Sequence, residues 1–278
     1  MDQPNLRARE EIARRRRDGG RKRERVEALD ATTLWEPTHK RAPPEKLRSA
    51  ELGSGKGSLS SFLAKDGVLT TTVDWNPECG ADDQRDFLDL PLDYLHPFDI
   101  THISQDCFTY SNLAGGKHRT RQNPEGHSAA AARANRELDH LVAMIDSALT
   151  VDPSKLFLFE NPVGMLQHTK GARKGLEKKC GLTKLEVCYC KFMMRGATDY
   201  VKKPTHFWTN CQLLIDAFGE GKFRCTAQTP CSCGDGYHRR VRPEAGQEGD
   251  RARDHAAFPD ELARFYARML ITDARARY

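Results

Sequence analysis

Apolar residues in this chain gather in short runs that polar residues end abruptly. Phe98 to Ile103 and Leu156 to Phe159 look like buried parallel strands, and Leu47 to Leu52 and Val68 to Val73 are further short strand candidates. Leu185 to Phe192 is a further strand candidate, and Lys202 to Asn210 reads as a loop entering an edge strand. Helical spacing alternates with these runs: Leu59, Phe62 and Leu63 after the first, and a shared face of Leu138, Leu141, Val142, Ile145 and Leu149 within Ala129 to Leu149. A last amphipathic helix over Phe258 to Leu270 carries Leu262, Phe265, Tyr266, Met269 and Leu270 on its apolar side. Strands alternating with helices predict an α/β fold built on a doubly wound, mostly parallel sheet, with functional residues beyond the carboxyl ends of its strands.

The 278 residues suit one large domain with a small appendage. Pro37, Pro43 and Pro44 mark residues 31–46 as a linker, which predicts an arm and linker over 1–45 and a folded domain over 46–278. A small cysteine-rich insertion is expected at about 205–255 within that domain. Residues 4–28 could form a charged helix interrupted at Gly19-Gly20, without the apolar stripe that packs a helix on a core. Charge sharpens this division. Residues 1–25 hold ten basic and five acidic residues, so the whole net charge of +5 lies in the arm and the rest is balanced. Such an arm suits nucleic-acid phosphates, and a solvated tail is the plainer alternative. No apolar run approaches the ~20 residues that span a bilayer, and the basic N-terminus lacks a signal-peptide core. An intracellular monomer, in nucleus or cytoplasm and without a membrane partner, is expected. Nine cysteines, an odd number, point to core thiols, metal ligands or a nucleophile rather than a disulfide framework.

Two stretches carry the candidate chemistry. His102-Ile-Ser104-Gln-Asp-Cys107-Phe-Thr-Tyr-Ser111 and Phe157-Leu-Phe-Glu160-Asn161-Pro162 each turn from an apolar strand into polar residues, which delivers a cysteine and a glutamate to the same rim. A thiolate with a carboxyl group nearby suits covalent attack on an electrophilic ring. Ahead of them, Glu51-Leu-Gly53-Ser-Gly55-Lys-Gly57-Ser58 joins a strand to a helix, and Asp74 ends the next strand about 20 residues on. Glycine turn and spaced carboxylates, with Asp86 the third, fit an adenosine-containing ligand. The loop is not a phosphate-binding P-loop, because Gly57 follows Lys56 where Ser or Thr is required. Asn112 to His127 is a long polar loop holding Gly115, Gly116, Lys117, His118, Arg119 and Arg121, suited to a lid over nucleic acid. Cys225, Cys231, Cys233 and His238 could form a closed zinc site, with Cys211 as reserve ligand.

The order and spacing of these motifs resemble the DNA (cytosine-5) methyltransferase family, in particular its short phage-like and virus-like members, from about Glu51 to the last helix. Ser104-Gln-Asp-Cys107-Phe-Thr-Tyr-Ser111 resembles the family's nucleophile motif Ser-Pro-Pro-Cys, and Glu160-Asn161-Pro162 its Glu-Asn-Val/Pro motif. Lys203-Pro-Thr-His-Phe-Trp-Thr-Asn210 is similar to a segment of the phage-like members, and Ala256 to Leu262 to the family's closing Asn-Ala-Val-Pro motif. The resemblance implies a class I, Rossmann-like methyltransferase fold and S-adenosylmethionine held by Glu51, Gly53, Gly55, Gly57, Asp74 and Asp86. It implies Cys107 and Glu160 as catalytic, and Ser104, Ser111, Asn161 and Lys203 as contacts to the base. DNA is the implied partner, with Arg239, Arg240 and Arg242 of the cysteine-rich segment placed for groove or phosphate contacts. RNA as substrate, or a weakly active or inactive nucleic-acid-binding protein of the same fold, are the alternatives. The chain departs from the family at Gly53, where Phe is usual, and at Gln105-Asp106, which replaces Pro-Pro. The Gln-x-Arg-x-Arg motif is also missing, with Arg195, Lys202 or Lys203 the candidates to stand in.

Overall fold

The structure is a computed structural model that describes residues 44–114, 116–192, 203–219, 221, 223–226, 230–231 and 259–278. All of these fall in one compact unit, Arg41–Tyr278. The basic arm, Arg195, Lys202, Cys233, His238, Arg239, Arg240, Arg242 and residues 256–258 of the closing segment lie outside the described residues.

Six strands form one sheet in the order β2-β1-β3-β4-β6-β5. They are β1 (Arg48–Leu52), β2 (Leu69–Val73), β3 (Ile100–Ser104), β4 (Leu156–Pro162), β5 (Thr183–Cys188) and β6 (Pro204–Thr209). The first four are mutually parallel, and β6 runs antiparallel to both β4 and β5. Thus the Lys202–Asn210 segment does not end at the sheet's edge: β6 is interior and β5 takes the edge. Pro204 is tolerated because it opens the strand, where the missing N–H costs one ladder bond at most. Phe207 and Trp208 are each buried, on opposite faces.

Both faces are covered, which makes the sheet doubly wound and Rossmann-like. On one side Phe157, Phe159, Ile103 and Trp208 pack with Leu138, Leu141 and Ile145 of helix α2 (Ala129–Val151) and with Leu176 of a π-wound helix over Gly171–Lys179. On the other, Leu156, Leu158, Val187 and Phe207 pack with helices α1 (Ser58–Lys65), α3 (Gln212–Phe218) and α4 (Asp260–Ala276). Alternate residues of β4 therefore belong to different cores, and each large apolar side chain buried there contributes about 1.5–3 kcal/mol. The expected helix at 258–270 runs on to Ala276, because Ile271 and Ala274 extend its buried stripe. Among the described residues, no helix is long and apolar enough to cross a membrane.

Candidate functional site

The cysteine and glutamate stretches meet as the strand pattern requires. Ser104 and Glu160 are register partners at the ends of the adjacent parallel strands β3 and β4, and Cys107 follows three residues later on the same rim. The loop carrying Cys107 is sewn to the chain after β4. Ser111 bridges Gly164, the Met165 N–H donates to the Tyr110 carbonyl at 2.8 Å, and Asn112 Nδ2 donates to the Val163 carbonyl at 3.1 Å. A side chain at Gly164 would put its Cβ 2.2 Å from the Tyr110 carbonyl oxygen, so only glycine permits this approach. Asn161 is fully buried and donates to the Gln105 carbonyl at 3.3 Å, while Gln105 Nε2 donates to the Ala134 carbonyl on α2 at 2.7 Å. Hydrogen bonds at Gln105 and Asn161 thus hold the Gln105-Asp106 turn.

Glu160 is buried, and its Oε1 accepts from the Tyr189 hydroxyl at 3.1 Å with Lys203 Nζ 3.6 Å away. Lys203 also stacks its ammonium 4.7 Å from the Tyr189 ring centre. Cys107 is half-buried, and its thiol pKa is pushed up to about 11. Burial is the largest cause, the Glu160 and Asp106 charges add to it, and Lys203 works against it. At neutral pH the thiol is therefore protonated. Ser104 Oγ lies 3.4 Å from His102 Nε2, and Phe108, 56% exposed, stands beside Cys107.

The glycine turn lies beyond β1, on the same side of the sheet. Gly53, Gly55 and Gly57 all have positive φ. At Gly53 a Cβ would sit 2.1 Å from the Ser104 carbonyl and 3.3 Å from Phe87 Cζ, so glycine is obligatory and the ring of Phe87 fills that neighbourhood. A Cβ at Gly55 would meet nothing within 4 Å, leaving open space over the turn for a ligand. Asp74 ties the turn to β2: its carboxylate accepts from the Gly55 N–H and the Asn76 N–H, each at 2.9 Å. Asp86 caps its own short helix through the Leu88 N–H and pairs with Arg133. Glu51 is 4% exposed and accepts from the Ser60 N–H at 2.8 Å, with His102 Nδ1 3.3 Å away. Burial alone would raise its pKa, but His102 and Ser60 together hold it below the usual carboxylate value. Glu51 so joins β1, α1 and β3 beneath the turn. Sequence reasoning missed Trp75, next to Asp74 and 67% exposed, although a large aromatic at a strand end was visible.

The long basic loop is built differently from the expected lid. Arg119 is 3% exposed and donates to Thr109 Oγ1, the carbonyls of Pro124, Glu125 and Ala131, and Asn135 Oδ1. Its guanidinium lies 3.9 Å from the Tyr110 ring centre. His118 is also buried and lies 2.8 Å from Ser128 Oγ. Inward-facing carbonyls draw Arg119 away from any phosphate, so it braces the Cys107 loop against α2; Lys117 and Arg121 remain exposed.

Of the cysteine-rich segment, Cys225 and Cys231 are described, and Cys233 and His238 are not. Cys225 and Cys231 come together with Cys190, their sulfurs within 4.8 Å of one another, and Cys188 joins the same buried cluster. The Cys190 and Cys188 sulfurs are 3.4 Å apart, a contact that, with burial, drives the Cys190 pKa upward. Cys211, the reserve ligand, lies elsewhere: it packs under α4, 4.0 Å from the Met269 carbonyl, because the apolar N-terminal end of α3 is buried there.

No family model matches the chain, and no curated protein matches it. Among solved structures it is similar to the Entamoeba histolytica methyltransferase EhMeth, at 14% identity and a TM-score of 0.41 over 59% of this chain and 53% of that one. It is also similar to a mutant of Spodoptera frugiperda DNMT2, at 16% identity and a TM-score of 0.38 over 59% of this chain and 50% of that one. The chain thus matches about half the length of each.

Proposed function

We propose that this protein transfers a methyl group from S-adenosylmethionine to C5 of cytosine in DNA, through a transient bond between Cys107 and the base. The observation that carries this reading is the pairing of Ser104 with Glu160 across β3 and β4, which sets a thiol and a buried carboxylate on one rim. The residues around Gly55 suit the cofactor: an open space above the turn, the Asp74 carboxylate at its edge and the exposed Trp75 indole to stack on an aromatic base. When bound, S-adenosylmethionine supplies the methyl group as an electrophile.

A cytosine in a duplex hides its C5 and C6, so the target base leaves the stack at a cost of a few kcal/mol. Phe108, exposed beside Cys107, offers an apolar face there. The Cys107 sulfur adds to C6, and the C5=C6 π pair becomes available at C5. Glu160, taking up a proton as the sulfur adds, donates it to N3 while its other oxygen accepts from the exocyclic amine, which stabilises the negative charge that develops on the ring. Tyr189 and Lys203 hold the carboxylate in place from behind. After methylation, loss of the C5 proton to a base restores the double bond and expels the Cys107 sulfur. Because the resting thiol is protonated, its proton passes to solvent as the sulfur–C6 bond forms, and Lys203 favours the thiolate against burial and the Glu160 charge.

The test is methyl transfer from labelled S-adenosylmethionine to duplex DNA and to tRNA side by side. Label at C5 of cytosine in DNA, abolished by Cys107→Ser, supports the reading. Label in tRNA alone moves the substrate to RNA, and no transfer to either nucleic acid removes the enzymatic assignment.

A further inference from the structure

We infer that Cys188, Cys190, Cys225 and Cys231 hold one zinc ion, which clamps the end of β5 to the cysteine-rich segment and fixes Tyr189 against Glu160. The sequence pointed to a different set, Cys225, Cys231, Cys233 and His238. The fold brings two cysteines at and just beyond the end of β5 to two that lie about 35–43 residues further along the chain. A tetrahedral ion with Zn–S bonds of ~2.3 Å spaces its sulfurs ~3.8 Å apart. The Cys190, Cys225 and Cys231 sulfurs lie within 4.8 Å of one another, which admits that spacing; Cys188 is 3.4 Å from Cys190 but outside that mutual limit, so its side chain must turn to complete the tetrahedron. The 3.4 Å separation is far longer than the ~2.05 Å of a disulfide bond. Four thiolates are soft ligands suited to zinc, and a site closed by four of them is structural, with no open position for chemistry.

A second set of contacts places the same two segments together independently of the sulfurs. The Cys188 N–H donates to the Phe223 carbonyl at 2.9 Å, and Lys191 Nζ donates to the Pro230 carbonyl at 2.7 Å. Arg224, Thr226 and Pro230 of the docked segment are exposed, so beyond Phe223 and the two cysteines little apolar burial orders its described residues. Metal binding would supply that order, with proton release from the thiols. Tyr189 sits between the two β5 ligands, and its hydroxyl donates to Glu160. A metal at this point therefore sets the height of Tyr189 beneath the carboxylate. The metal assignment stands apart from the methyl-transfer reading; only the consequence for Glu160 rests on it.

The experiment is metal analysis of the full chain, purified under reducing conditions, followed by replacement of the metal with cobalt(II). About one zinc per chain and an intense thiolate-to-cobalt absorption band are expected. Cys188→Ser, Cys190→Ser, Cys225→Ser and Cys231→Ser should each lose the metal or weaken its retention against a chelator at least tenfold. Cys180→Ser, Cys211→Ser and His238→Ala should keep it. Wild-type protein that holds no zinc and gives no cobalt band overturns the site without reliance on any variant's folding. Iron in place of zinc overturns the identity of the metal. Retention in Cys188→Ser with loss in Cys233→Ser overturns the fourth ligand.

Discussion

Replacing Glu160 with Gln should make Cys107 more reactive while stopping methyl transfer, two effects that ordinary damage to a site does not combine. The Cys107 pKa stands at about 11 against an ordinary 9.0, with burial first and the Glu160 charge second among the causes. At pH 8 a pKa of about 11 leaves about 0.1% thiolate, against about 10% at 9.0. Glutamine keeps an oxygen for the Tyr189 hydroxyl but removes the charge, and Lys203 then acts on the thiol against burial and the Asp106 charge alone. A single nearby charge is worth about 0.5–1.5 pKa units in such a half-buried place, or about three- to thirtyfold in thiolate. A thiolate of lower pKa is intrinsically a weaker nucleophile, with a Brønsted slope of about 0.45, so the net gain in rate is about two- to sevenfold. The assay is iodoacetamide alkylation at pH 8, with the Cys107 peptide quantified by mass spectrometry. Lys203→Met should slow the same reaction. Unchanged or slower alkylation in Glu160→Gln would refute the electrostatic picture, whatever happens to methyl transfer.

Three further outcomes follow from the same geometry. Gly53→Ala should cost roughly 2–4 kcal/mol in urea unfolding, since its Cβ would strike the Ser104 carbonyl at positive φ, whereas Gly55→Ala, also at positive φ but facing open space, should cost about 1 kcal/mol; equal losses would contradict this. The folded-state pKa of Glu51 is lowered, so its contribution to stability is present above the ordinary carboxyl value of 4.5 and is lost as pH falls below that through the folded value. The melting-temperature gap between wild type and Glu51→Gln should therefore be full at pH 6 and shrink on acidification from about pH 4.5 downward, and a gap that widens would reverse the assignment. Asp74→Ala should weaken S-adenosylmethionine binding in titration calorimetry by about tenfold or more, because it loses both a ligand contact and the Gly55 anchor, and unchanged affinity would place the cofactor elsewhere.

Much of the fold could be read from the sequence because buried parallel strands leave an unbroken apolar signature, as in Leu156 to Phe159. The rim bearing Cys107 and Glu160 was legible for the same reason: both runs stop where polar residues begin. The interior position of β6 was not, since its short run after Lys203-Pro204 looks like an edge, and only pairing with both β4 and β5 reveals it. The sulfur cluster was half legible. Cys225 and Cys231 stand out in a polar segment, but Cys188 and Cys190 look like strand residues until folding brings them across the gap. Arg119 misled for a related reason: charge in a loop predicts exposure, and the carbonyls that take the guanidinium inward are set by tertiary structure. Trp75 was passed over because a single aromatic has no period.

The most direct measurement is trapping on DNA containing 5-fluorocytosine in the presence of S-adenosylmethionine. Fluorine at C5 cannot leave as a proton does, so a reaction that passes through a bond from sulfur to C6 stops at the adduct. The account predicts a covalent protein–DNA complex whose mass includes the transferred methyl group, with the link mapped to Cys107 and absent in Cys107→Ser. Methylation of ordinary cytosine without any trapped complex, or an adduct mapped to another residue, would contradict it.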